Sequence, residues 1–219
     1  MLPVATSLRI IKTPWATYTI VTANVLIQFL VTWNSNFVIS DRVARTFGFD
    51  PASFGNLSAI PTLITSMFLH GDLLHLFGNI VFLFVFGRRV ENQLERINFL
   101  AFYLTAGITA ALVQILMEPD SSAPLIGASG AISGVLGAFF ICNPSARITL
   151  VLDPALIYFL HRLTIRLPAW IFLPVWFFLQ VSMGLKQHGS NVAFWAHVGG
   201  FVAGSVIAAA VHDYIPTNT

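Results

Sequence analysis

The sequence predicts an all-α membrane protein with six transmembrane helices, and three observations lead to this fold class. Hydrophobic residues make up 56% of the 219-residue chain and charged residues only 9%, whereas soluble domains carry roughly 25% charged residues. The charges separate six apolar segments, each close to the roughly 20 residues that cross a bilayer. No segment shows the ten-residue alternation of a membrane β-barrel, so each is predicted to be a helix that satisfies its own backbone hydrogen bonds.

The predicted spans follow the chain in order. They cover residues 15–33, 70–87, 97–117, 127–144, 167–185 and 192–211. The first follows Arg9 and Lys12 and so resembles a signal peptide, but its uncharged stretch is too long and no small-residue cleavage site closes it. We therefore expect this span to be retained. Pro124 and Gly127 predict that the fourth span starts late, below the membrane surface.

The connections indicate the topology. Because the number of spans is even, both termini lie on one side of the membrane, and eight of the eleven basic residues fall on that side. By the positive-inside rule both termini are predicted to be cytoplasmic, which suggests a plasma or inner membrane. The eight residues are Arg9, Lys12, Arg88, Arg89, Arg96, Arg147, Arg162 and Arg166. Residues 145–166 are predicted to be a cytoplasmic linker, and residues 34–69 an outer loop that lies partly in the membrane interface.

Composition also restricts the partners. The net charge of +2 is spread over the loops, so the chain lacks the basic stripe that nucleic-acid binding needs. Its single cysteine, Cys142, excludes an intramolecular disulfide. We expect one domain over residues 1–219, with its core at about 15–211, no soluble domain, no cofactor and no metal. The oligomeric state is left open.

Polar side chains inside spans are costly and are therefore functional candidates. The second span holds the first cluster, in which His75 and Asn79 are four residues apart and share a helix face, with His70 just before them. This pair could donate hydrogen bonds to one spot. Alternatively, it holds neighbouring helices together.

The fourth span holds a serine on a bare helix face. Ser129 belongs to a run of small residues that recur every three or four positions, which lets another backbone approach closely. On the packing interpretation, Ser129 is simply one of these small residues. They are Gly127, Gly130, Ser133, Gly134 and Gly137.

The sixth span places a histidine on a glycine stripe. Gly200 and Gly204 follow His197 by three and seven residues, so all three lie along one side of the helix. A packed histidine bonded to a carbonyl oxygen is the alternative. A titratable side chain between glycines nevertheless favours chemistry.

Taken together, the clusters predict a catalytic site. The bare faces of the fourth and sixth spans are natural packing partners, and their contact would bring Ser129 and His197 together in the outer half of the membrane. An imidazole beside a serine supplies the base that makes it a nucleophile, and His75 and Asn79 would donate to a developing oxyanion. No acidic residue lies near His197 in the sequence, so a Ser-His dyad is the simplest assignment.

These motifs resemble the rhomboid family of intramembrane serine proteases. The family signature is Gly-x-Ser-Gly on the fourth core helix, Ala-His-x-x-Gly-x-x-x-Gly on the sixth and His-x-x-x-Asn on the second. The chain matches it from Gly127 to Gly130, from Ala196 to Gly204 and from His75 to Asn79. The resemblance implies a six-helix bundle and a serine endopeptidase that cuts transmembrane proteins near the outer face of the bilayer. It also implies an oxyanion site made by His75, Asn79 and the Ser129 N–H, and a structural role for His70.

The chain departs from the family at two places. The Trp-Arg pair common in the first loop is absent from Pro61–Ser66. Some relatives carry a tyrosine four residues after the nucleophile, where this chain has Ser133. We expect the Ser133 hydroxyl to face the His197 imidazole, to hold it by a hydrogen bond and to set its tautomer in part.

Two other functions stay open at this point. One is a rhomboid-like protein that binds membrane clients without cutting them, although such relatives lack the serine or the histidine. The other is a small transporter with His75, Asn79 and His197 along its path, for which the sequence offers no inverted repeat.

Overall fold

All six predicted spans are helices in the computed structural model, which describes residues 2–119, 121, 123–151, 164–186 and 192–214. Arg162 and most of the predicted linker 145–166 lie outside these residues. The helices that correspond to the spans are α1 (Trp15–Thr32), α4 (Leu73–Leu94), α5 (Arg96–Met117), α6 (Ser129–Cys142), α7 (Ala169–Lys186) and α8 (Phe194–Val211). The prediction of a helical membrane bundle is confirmed.

Five of these helices have the length and hydropathy to cross a membrane, and α6 is the short one. Its 14 residues rise about 21 Å at 1.5 Å per residue, less than the ~30 Å hydrocarbon core. Gly127 has a φ of 120°, a left-handed conformation that glycine adopts without a steric penalty, and the chain turns there into α6. The helix of the fourth span therefore begins at Ser129, two residues after Gly127, and its start below the membrane surface stays a prediction.

The long connection between α1 and α4 folds over the N-terminus of α6. It contains α2 (Asp41–Phe47), α3 (Thr62–Thr65) and the 3₁₀ turns Pro51–Ser53, Leu57–Ala59 and Ser66–Phe68. A β-bridge joins Phe49 to Leu125, and the Gly127 N–H donates to the Ser66 carbonyl oxygen at 2.9 Å. This connection therefore positions the segment that leads into Ser129.

A small antiparallel sheet lies at the other end of the bundle and was not predicted. Its strands, in the order β1-β2-β3, are β1 (Leu2–Thr6), β2 (Arg147–Val151) and β3 (Thr164–Pro168). Ile148 and Leu150 point inward and are fully buried, so β2 covers the bundle as a half-buried strand. The all-α prediction needs this addition. We call this end of the bundle the sheet face and the opposite end the serine face.

Buried side chains of α4 fasten α1 at the sheet face. Glu91 accepts hydrogen bonds from the N–H groups of Ala16 and Thr17 at 2.8 and 2.7 Å. These are free donors of the first turn of α1, which has no side-chain cap of its own. Asn92 accepts from the Ile11 N–H at 2.8 Å. The buried carboxyl group therefore serves as the N-terminal cap of α1.

Candidate active site

Ser129 is the first residue of α6, at the serine face. Helices begin with backbone N–H groups that have no partner within the helix, and these groups favour negative charge nearby. A cavity of about 30 Å³ borders Ser129 and Gly127 and reaches Ser66 and Ala196. A volume of that size accommodates a water molecule. Ser129 therefore lines a small pocket at a helix N-terminus.

His75 approaches the same point from α4. A Cβ atom built on Gly127 would lie 3.0 Å from His75 Nε2 and 3.6 Å from Ser129 Oγ. The Gly71 N–H donates to His75 Nδ1 at 3.3 Å, so in the neutral ring Nε2 carries the proton. His75 therefore presents a donor toward the turn that holds Ser129, and a side chain at position 127 would obstruct it.

Asn79 lies one turn further along α4 and is 7% exposed. Its Nδ2 is buried and has no hydrogen-bond partner among the described residues. Leaving a buried amide donor without a partner costs roughly 1–3 kcal/mol, so such a group is uncommon without a functional reason. Asn79 thus has a donor available.

His70 supports this histidine. Its ring is fully buried, and it meets the ring of His75 edge-on with centroids 5.2 Å apart. Asp72 caps α4 by accepting from the His75 N–H at 2.8 Å. The packing agrees with the structural role that the resemblance implies for His70.

Glycines bring α6 and α8 into backbone contact. A Cβ on Gly200 would overlap the Gly130 carbonyl oxygen, and a Cβ on Gly204 would overlap the Gly134 carbonyl oxygen. Gly137 makes the reciprocal contact with the Phe201 carbonyl oxygen. The predicted packing of the two bare faces is present, and it places the helix that carries His197 against the helix that begins at Ser129.

His197 contacts α7 through a hydrogen bond and an aromatic ring. Its Nδ1 lies 2.8 Å from Gln180 Oε1, and the Trp176 ring lies 6.1 Å away between centroids at 33°. Phe194 meets the imidazole edge-on at 6.3 Å. Among the described residues, no hydrogen bond joins His197 to Ser129 Oγ. Within the described part of the chain, His197 thus has a hydrogen-bond partner at Nδ1 and none at Nε2.

Ser133 does not make the hydrogen bond expected of it. Its hydroxyl donates to the Ser129 carbonyl oxygen at 2.7 Å, the bond to the preceding turn that serines in helices often form. Gln180 occupies the imidazole nitrogen instead. The hypothesis that Ser133 sets the His197 tautomer is therefore wrong for this structure.

Two glutamines of the site were missed from the sequence. Gln114 of α5 accepts from the Ala196 N–H at 2.9 Å and so holds the N-terminal turn of α8, and Gln180 reaches the imidazole. Both are polar residues within predicted spans, which is the signal that singled out His75 and Asn79. Within the described residues, no three His, Cys, Asp or Glu side chains form a metal site.

Comparison with known proteins gives one family. The family model described as a Rhomboid domain matches residues 57–214, more than half of the chain. Rhomboid protease GluP of Bacillus subtilis (strain 168) is 29% identical over 198 residues, which cover 90% of this chain and 35% of that protein.

Two eukaryotic relatives match shorter stretches. RHOMBOID-like protein 5 of Arabidopsis thaliana is 37% identical over 35% of this chain and 25% of its own length. The human presenilin-associated rhomboid-like protein, mitochondrial, is 32% identical over 62% of this chain and 35% of its own length. The chain thus spans about a quarter to a third of the length of these relatives.

Proposed function

Because this chain belongs to the rhomboid family, we propose that it is an intramembrane serine endopeptidase. Ser129 is its nucleophile, and His197 is its general base. The observation that carries the proposal is the contact of α6 and α8 at Gly130 and Gly200. This contact joins the helix that begins at Ser129 to the helix that carries His197.

The first half of the reaction forms an acyl-enzyme. Ser129 Oγ attacks the carbonyl carbon of the scissile bond, and His197 Nε2 takes the hydroxyl proton. The carbonyl oxygen becomes an oxyanion that accepts hydrogen bonds from Asn79 Nδ2, His75 Nε2 and the Ser129 N–H. When the tetrahedral intermediate collapses, the C–N bond breaks and His197 returns the proton to the leaving amine.

The second half releases the other fragment. A water molecule attacks the acyl carbon while His197 removes its proton, and the same three donors stabilise the second oxyanion. The C–Oγ bond then breaks, and the proton returns to Ser129. The free carboxylate product leaves, and the hydroxyl and neutral imidazole are regenerated.

The substrates we propose are transmembrane proteins cut within or near the outer part of the bilayer. The 14-residue α6 is too short to cross a bilayer. We propose that it falls short at its Ser129 end, which places the serine within reach of a peptide segment that lies in the membrane. The Bacillus relative is named as a protease, which agrees with this chemistry. A peptide bond must leave its helix to be attacked, since helical carbonyl carbons are shielded by the adjacent turns.

The test combines an active-site probe with a cleavage assay. We expect a fluorophosphonate to label the purified, membrane-reconstituted protein at Ser129, and a model substrate with one transmembrane helix to be cut. Ser129→Ala should abolish labelling and cleavage, and His197→Ala should abolish cleavage, since comparable changes in soluble serine proteases cost about 10⁶ in turnover.

Two variants serve as matched controls. Ser205→Ala removes another buried serine hydroxyl, and His212→Ala removes an exposed histidine just beyond α8. Both should keep labelling and cleavage. Intact protein that is neither labelled nor active would instead favour a rhomboid-like protein that binds membrane clients without cutting them.

A further inference from the structure

We propose that Gln180 of α7 is a positioning residue of the catalytic pair, which holds His197 in the tautomer that leaves Nε2 free to act as base. The inference deepens the proposed function and rests on it. Its starting point is the 2.8 Å contact between Gln180 Oε1 and His197 Nδ1. The two residues are on different helices, so the contact depends on how α7 packs against α8.

The tautomer follows from the chemistry of the two groups. An amide oxygen only accepts hydrogen bonds, and a neutral imidazole has one N–H and one bare nitrogen. With Oε1 against Nδ1, the proton is on Nδ1 and the lone pair is on Nε2. Nε2 is the nitrogen that must receive the Ser129 proton, so the glutamine selects the form of the base that reacts.

A buried aspartate performs this task in soluble serine proteases. Within a membrane, an unpaired carboxylate is costly, whereas a neutral amide is much less so. Neither α6 nor α8 carries an Asp, Glu, Lys or Arg, and α7 carries only Lys186 at its last residue. Gln180 therefore supplies the orienting acceptor without adding a charge.

A stripe on α7 holds the glutamine in place. Trp176, Gln180 and Gly184 are spaced by four residues and share one helix face. Trp176 covers the imidazole, while a Cβ on Gly184 would lie only 2.9 Å from Trp195 Cε2 of α8. Aromatic contacts thus bracket the hydrogen bond one turn to either side.

Gln180→Met tests the role, because methionine keeps the length of the side chain and has no carbonyl oxygen. We expect kcat to fall by about 10- to 100-fold. This loss exceeds the effect of an ordinary hydrogen bond, which is worth roughly 1 kcal/mol. It is smaller than the ~10⁴-fold loss that follows when the histidine of a triad takes the wrong tautomer. The thermal midpoint should change little. Leu179→Met, at an exposed neighbouring position, is the control and should keep full activity. A Gln180→Met enzyme with the rate and pH profile of the parent would overturn the proposal.

Gln180→Glu keeps an acceptor at the same place and adds a negative charge. A carboxylate at Nδ1 stabilises the imidazolium, which raises the pKa of the base. Since the base works only when unprotonated, the acid limb of kcat/KM should move to higher pH. Activity above that limb should stay within about tenfold of the parent. An unchanged limb, or a loss as large as that of Gln180→Met, would contradict a contact at Nδ1.

The tautomer is also measurable without turnover. The protein has six histidines, and labelling them with ¹⁵N makes their ring nitrogens visible by NMR. The His197 signals are assigned by comparison with His197→Ala. We expect Nδ1–H in the parent and an increased share of Nε2–H in Gln180→Met. A parent protein with Nε2–H would refute the inference even if it cleaves substrate. Conversely, a protein that has Nδ1–H but neither cuts substrate nor reacts with the fluorophosphonate would refute the proposed function and leave the role of Gln180 in setting the tautomer intact.

Discussion

At the scale of single residues, Asn79 has the environment expected of a hydrogen-bond donor to the oxyanion. Its Nδ2 is buried without a hydrogen-bond partner among the described residues. We predict that Asn79→Ala lowers kcat by about 10²- to 10³-fold, the usual cost of removing one oxyanion-hole donor. Single-turnover cleavage of a transmembrane substrate measures the change, and probe labelling should slow in parallel.

The matched control is Asn24→Ala. Asn24 of α1 is also a buried asparagine, and its Oδ1 has no partner in the described part of the chain. Its loss should affect stability more than turnover. If Asn79→Ala turned over substrate at the parental rate, the role of Asn79 would be packing.

Ser133 provides the second prediction at this scale. The residue is 2% exposed, and its hydroxyl donates to the Ser129 carbonyl oxygen, so it tightens the first turn of α6. Ser133→Ala should reduce kcat by less than about tenfold, since such a bond is worth roughly 1 kcal/mol net. Its pH profile should match that of the parent. A folded Ser133→Ala protein without activity would require the hydroxyl to take part in the reaction.

At the scale of helices, the contact between α6 and α8 tolerates no side chain. A Cβ at Gly200 would overlap the backbone of Gly130, whereas a Cβ at Gly78 of α4 meets no atom within 4 Å. We predict that Gly200→Ala lowers kcat/KM by about 100-fold, because a displacement of about 1 Å of a catalytic group has effects of that size. Gly78→Ala should stay near the parental rate. Equal activities in these two variants would show that His197 does not depend on this contact.

The cap on α1 is the second prediction for helices. Glu91 bonds to two backbone N–H groups in the interior, whereas Glu95 pairs with Lys12 at the surface. Hydrogen bonds to charged groups are each worth about 1.5–3 kcal/mol, so Glu91→Ala should destabilise the protein by about 3–6 kcal/mol and lower its thermal midpoint in detergent. Glu95→Ala should change the midpoint little, since exposed pairs are weak. Equal midpoints would mean that α1 needs no cap.

At the scale of the whole molecule, the charge distribution predicts that the sheet face is cytoplasmic. The two ends of α1 test this orientation, because Thr13 and Asn34 flank it and both are exposed. In a Cys142→Ser background, a membrane-impermeant maleimide should label Asn34→Cys in intact bacterial cells. It should label Thr13→Cys only after permeabilisation. The reverse pattern would place both termini outside.

Much of this molecule follows from local sequence. A lipid environment forces backbone hydrogen bonding within each segment, so the positions of charges were enough to predict six helices, and the bounds of α1, α5 and α8 agree closely with the spans. Gly127 predicted a late start of α6, and the glycines of α6 and α8 predicted a close contact between these helices. A glycine has no side chain, so another backbone can approach it closely. The prediction of a single domain over 1–219 stays a prediction.

Only tertiary structure decided the rest. In the β1–β2–β3 sheet, Leu2 pairs with Val151, which is 149 positions away, and such long-range pairing has no local signal. The partner of His197 was misassigned to Ser133 because spacing along one helix says nothing about a neighbouring helix. The sequence by itself determined which residues can do chemistry in the membrane. The packing of α7 against α8 decided that Gln180 holds the imidazole, because a hydrogen bond depends on ångström-scale distances between helices that periodicity does not specify.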